Sequence, residues 1–292
     1  MLNLIKSDLY RITRARGLRG SFWQYSLAIV AAYAAVVALL VFVRTQAYDM
    51  LADGAASPFT SEFPSYTAYL ADMASGIVPL CVCFMVAEHV LQEFKGGYAR
   101  TVLSARAGRL SYFVGKAMFA GVLSAIMMLL SIAIVTVGAW IGGYTFALAD
   151  TPIEFLGWFG GFWLNIWALA VLSLILVYAT RVSPVSYIGA FCFCFGTVPS
   201  SLRGLAYATR DILPALEPIR PVFETLAAWL PSSSLGNLKF GGGLFWMSPA
   251  DVWGASSQAL TVAPGVQALI AGVIWVAIPA AVVLLIARER DI

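Results

Sequence analysis

Residues 121–140 form a run of twenty without one charged side chain, and that run restricts what the chain can become. Twenty apolar residues in helical form cover ~30 Å, the thickness of bilayer hydrocarbon. A strand of an outer-membrane barrel is about half as long and alternates apolar with polar residues, a pattern absent here. Comparable apolar runs recur along the 292 residues, 61% of which are hydrophobic and 11% charged, with a mean hydropathy of +0.85. The chain therefore reads as one all-α polytopic membrane domain over residues 1–292.

Six transmembrane helices are expected, at 22–43, 73–90, 111–141, 155–179, 185–199 and 264–287. Pro79 removes a helical hydrogen bond from the second, so a kink is expected there. Ser183-Pro184 makes a tight turn into the fifth. Residues 200–263 carry Arg203, Arg210, Asp211, Glu217, Arg220, Glu224, Lys239 and Asp251 beside apolar pieces too short to cross. A structureless loop of that length is unusual, so short outer or re-entrant helices are expected. Trp229, Trp246 and Trp253 read as interfacial aromatics and Gly241-Gly242-Gly243 as a flexible connection.

Within residues 1–20, Leu2, Ile5, Leu9 and Ile12 draw one apolar stripe on a helix. Lys6, Arg11, Arg14, Arg16 and Arg19 cover the remaining surface, as suits an amphipathic helix lying in the membrane interface against anionic head groups. No small-residue cleavage site follows, which argues against a secretory signal. With six spans, thirteen of the 18 Lys and Arg residues fall on the side that holds both termini. By the positive-inside rule both termini are then cytoplasmic.

Residues 88–116 contain five basic side chains, two acids and the only histidine, between two apolar runs. This polar island is expected outside the lipid, as a cytoplasmic loop over 91–110. It is not a phosphate-binding loop, because Gly115-Lys116 is followed by Ala117 and Leu110 stands where the first glycine belongs. The spans hold almost no ionisable group, which disfavours a secondary transporter. One histidine is too few for an intramembrane metalloprotease, and the chain reads as a non-enzyme with no cofactor or metal of its own. The pairs Cys81/Cys83 and Cys192/Cys194 lack the C-x-x-C spacing of metal or redox sites and read as inert thiols.

A transmembrane body without an energy source, and with a cationic face, suggests a subunit driven by a soluble partner. The order of elements resembles the permease subunits of ABC-2-type transporters. In the island, Glu93, Gly97, Leu103, Arg109 and Gly115-Lys116 match that family's loose pattern, while Tyr98 stands where threonine is commoner and Ala107-Gly108 where proline often precedes the arginine. The resemblance implies a coupling loop that docks on an ABC ATP-binding subunit, which would hold ATP and Mg. Glu93, Arg100, Arg106, Arg109 and Lys116 would form that interface, beside the N-terminal helix. It further implies a second permease, identical or related, and a bacterial cytoplasmic membrane, with lipids but no nucleic acid as partners. The expected cargo is amphipathic: an antimicrobial peptide, a drug or a lipid-like molecule. The alternatives are a peptide-sensing or immunity subunit of such a complex, or a secondary transporter.

Overall fold

The computed structural model describes residues 2–14, 20–51, 62–97, 109–211, 214–253 and 262–289. The chain folds as a helical multi-pass membrane protein. Among the described residues five helices are long and apolar enough to cross a membrane, or six if one bent pair counts as a single span.

Helix α1 (Leu2–Arg14) precedes α2 (Ser21–Leu51), and Trp23 Nε1 donates to the Thr13 carbonyl at 3.0 Å where the two adjoin. A short strand β1 (Glu62–Ser65) leads into α3 (Tyr66–Lys95). Ser65 caps α3, its hydroxyl accepting from the Ala68 amide at 3.2 Å. Next come α4 (Arg109–Gly142), strand β2 (Thr145–Leu148) and α5 (Pro152–Thr180). Thr151 and Glu154 form a reciprocal capping box at the start of α5, with Pro152 in its first turn.

Helices α6 (Ser183–Cys194) and α7 (Thr197–Asp211) are bent by 62° at Gly196, whose φ of +69° a residue with a side chain rarely adopts. The fifth expected span thus corresponds to a sharply bent helix pair, the geometry of a broken span or of a re-entrant loop. Residues 214–253 fold into α8 (Arg220–Ala228), α9 (Pro231–Asn237), α10 (Pro249–Trp253) and 3-10 turns, as short helices were expected there. Helix α11 (Pro264–Glu289) closes the bundle, packing chiefly along α5.

Two boundaries and one addition differ from the sequence reading. Helix α3 is not a short span over 73–90 but runs for 30 residues, and it continues through Pro79 to Lys95. Helix α2 continues past Arg44 to Leu51. The strands β1 and β2 pair in parallel, with Phe63 opposite Phe146, an addition to the all-helical plan. Pro64 sits in β1 without harm, because a two-stranded edge can spare its missing amide donor.

The strand end of the bundle is tied by side chains. Asp150 accepts from the Thr67 amide and hydroxyl, both at 2.8 Å, and the Thr67 hydroxyl accepts from the Gly242 amide at 2.7 Å. The Gly241-Gly242 backbone is pressed against this knot: a Cβ on Gly241 would lie 2.7 Å from Ala68 N, and one on Gly242 2.6 Å from Glu154 Cβ. The glycine run is therefore a packed contact and not a flexible connection. Gly241 and Gly242 are needed for closeness, and Gly241 also for a φ of +76°.

A candidate coupling site

Three helices each bring a pair of polar side chains, about one turn apart, to a single buried point. Helix α1 supplies Asp8 and Arg11, α3 supplies His89 and Glu93, and α4 supplies Tyr112 and Lys116. Spacings of three or four residues place both members of a pair on one helix face, so each face meets the others with two groups.

The Lys116 ammonium lies 2.7 Å from Asp8 Oδ1 and 2.7 Å from Glu93 Oε1. Arg11 pairs with the same Glu93 oxygen, and Tyr112 donates to Glu93 Oε2 at 2.6 Å. His89 Nε2 stands 3.4 Å from Asp8 Oδ1 and 3.6 Å from Glu93 Oε1, while its ring packs 5.0 Å from Phe119. Glu93 is 0% exposed and Lys116 2%, so water cannot substitute for these partners. The carboxylates of Asp8 and Glu93 thus meet the ammonium of Lys116 and the guanidinium of Arg11. An unbalanced charge at such depth would cost several kcal/mol.

Asp8 lies outside the spans. Burial would raise the pKa of its carboxyl, but the His89 hydrogen bond and the charge of Lys116 outweigh that and hold it below the ordinary value.

Asp8, His89 and Glu93 present ligand atoms within 4.8 Å of one another, a set that could suit a metal ion. The Lys116 ammonium already stands between both carboxylates, where such a cation would sit. The arrangement acts as a brace: it fixes the ends of three helices with respect to one another.

The residues expected to meet a partner are divided by the structure. Glu93 and Lys116 are interior, so they do not form a contact surface; their charges are consumed within the chain. Arg11 is half-buried and reaches inward to Glu93 rather than covering the interfacial surface alone. Lys6 and Arg14 are exposed on α1. Arg109 opens α4, while Arg16, Arg19, Arg100 and Arg106 lie outside the described residues.

Sequence reasoning missed Asp8 and Tyr112. Asp8 interrupts the apolar stripe three residues after Ile5 and four before Ile12, on the face that docks; Ile12 is 4% exposed and Asp8 itself 4%. An acid on an apolar face signals a buried partner, and Lys116 is that partner. Glu88, next to His89 in the chain, points elsewhere and accepts from Gln92 at 2.8 Å; the spacing that brings His89 to an acid is the one to Glu93, four residues on.

The same end of the bundle gathers further cations. Lys95 Nζ donates to Ser183 Oγ at 3.3 Å, and Arg181, in the left-handed conformation that ends α5, stacks 5.4 Å from the Phe94 ring. The strand end instead carries Asp72, Asp150 and Glu154, with Lys239 donating to Asp72 at 3.3 Å. Compared with known proteins, the chain matches no family model and no curated protein.

Proposed function

We propose that the chain is the membrane subunit of an ATP-driven transporter of the ABC-2 permease kind, powered by a separate ATP-binding subunit. The observation that carries this reading is the brace. Asp8, Glu93 and Lys116 join α1 to the two helix ends that flank residues 98–108, so force applied to that connection reaches three helices at once. A chain without a phosphate-binding loop gains from such a transmitter only if something outside it pushes.

In this reading Arg100, Arg106 and Arg109, with Lys6 and Arg14 of α1, meet the partner or anionic lipid head groups. Glu93 and Lys116 act behind that surface and keep it stiff. The α1 end is cytoplasmic, in agreement with its excess of cations, and the membrane is that of a bacterial cell. Spans with few fixed charges suit an amphipathic cargo such as a peptide, drug or lipid-like molecule, exported through a pair of permeases.

The test is a double charge reversal, Arg106→Glu with Arg109→Glu, in the tagged chain purified from its native membrane. The unaltered chain should bring down an ATP-binding protein, and the reversed chain should lose it together with cargo-stimulated ATP hydrolysis. Unchanged recovery and hydrolysis would defeat the coupling role. Orientation is checked in a chain cleared of its four native cysteines: Ala149→Cys should react with an impermeant thiol reagent in intact cells, and Lys6→Cys should not.

A further inference from the structure

A groove of about 710 Å³ runs along α2, walled on its other sides by α3 and α4. Its volume falls within the ~300–1,000 Å³ usual for small-molecule sites. Val30, Ala34, Ala38 and Phe42 repeat every four residues along the α2 wall, and the two alanines hollow it. Its floor is closed where Val37 meets Gly138, at which an added Cβ would come to 3.0 Å.

The lining excludes a polar occupant. The two tyrosine hydroxyls beside the groove are already used: Tyr33 pairs with Ser131 Oγ at 2.8 Å and Tyr69 donates to the Val135 carbonyl at 3.3 Å. Ordered water needs two to four polar partners, so water does not fill this space. All three walls are membrane spans, so the medium around the mouth is hydrocarbon. Helix α2 buries only 17% of its most apolar stretch, against 61% for α3 and for α5, and so leaves the mouth uncovered among the described residues.

Length identifies the occupant. From residue 30 to residue 42, α2 rises ~18 Å. One leaflet of hydrocarbon is ~15 Å deep. The groove lies toward the end of α2 away from α1, and Ile141 at the close of α4 lines it. We infer that it is the binding site for one acyl chain of a resident phospholipid, drawn from the leaflet opposite α1. The inference stands whether or not the chain is a transporter.

The probe is a phosphatidylethanolamine with a diazirine midway along one acyl chain, incorporated into proteoliposomes with the full chain and photolysed. Modification mapped to residues 30–42 and 134–141 should exceed that on the exposed α11 residues Val273, Ile274 and Ile278 by about tenfold, equal to ~1.4 kcal/mol of preference. Ala34→Trp with Ala38→Trp should fill the groove and bring its modification down to the α11 level, leaving α11 unchanged. The milder Ala34→Leu with Ala38→Leu should give a partial loss, and unfolding midpoints separate filling from misfolding. Modification of the groove at the α11 level from the start would overturn the inference. So would persistence in the tryptophan variant, or shielding of the groove by a second copy of the chain.

Discussion

Lys116 and Glu93 stand 23 residues apart in the chain and meet at 2.7 Å in its interior, one from each helix beside the polar connection. Removing one partner of a buried pair strands the other, which typically costs ~3–5 kcal/mol. Lys116→Met should lower stability in detergent by that order, with Glu93→Gln close behind. The double variant Glu93→Gln with Lys116→Gln should lose less than the sum of its single changes. A thermal-unfolding cycle that gave strict additivity would show that the two charges do not act together.

Acid should release α1. The Asp8 carboxyl has an ordinary pKa of 3.8 when α1 is undocked and a lower one when docked. Its contribution to docking is therefore complete above that ordinary value, and is lost as pH falls through the lower, docked one. Hydrogen exchange over residues 2–14, corrected for intrinsic rates, should show a loss of protection in that acid window. Asp8→Asn should weaken docking at neutral pH and abolish the acid step.

Gly121 on α4 is the landing place of two indoles. Trp163 donates to the Gly121 carbonyl at 2.9 Å and Trp167 to the Ala117 carbonyl at 2.8 Å, so a Cβ on Gly121 would lie 2.6 Å from the Trp167 ring. Gly121→Val should cost ~1–3 kcal/mol through overpacking and separate α4 from α5. The change is read as a lower unfolding midpoint together with altered tryptophan fluorescence.

Gly241 combines φ +76° with ψ −160°, a conformation essentially confined to glycine. Gly241→Ala should destabilise by ~1–3 kcal/mol. Gly243→Ala, where nothing lies within 4 Å of the added carbon, should change stability by much less. Equal midpoints for the two variants would contradict the packed reading of this turn.

The framework was legible in the sequence because lipid enforces it: a run such as 121–140 has no alternative to a spanning helix. The docking stripe of α1 was legible for a similar reason, since Ile12 is buried where its periodicity placed it. The ends of α3 were not, because Tyr66–Asp72 and Leu91–Lys95 are polar enough to read as loop, yet capping by Ser65 and tertiary packing extend the helix through them. The brace was hidden more deeply. Charge in a polar island reads as solvated surface, and only the convergence of three helix ends turns Glu93 and Lys116 inward. The β1–β2 pair joins segments about 80 residues apart, a pairing that no local pattern announces.

Helix α1 emerges from the ribosome long before its anchors do. His89 lies 81 residues and Lys116 108 residues after Asp8. At ~5–20 residues per second, translation of that interval takes roughly 5–20 s. Throughout it Asp8 has no buried counter-charge, so α1 must wait in contact with water and head groups. Its full set of buried partners exists only once Lys116, near the start of the third long apolar helix, has been made.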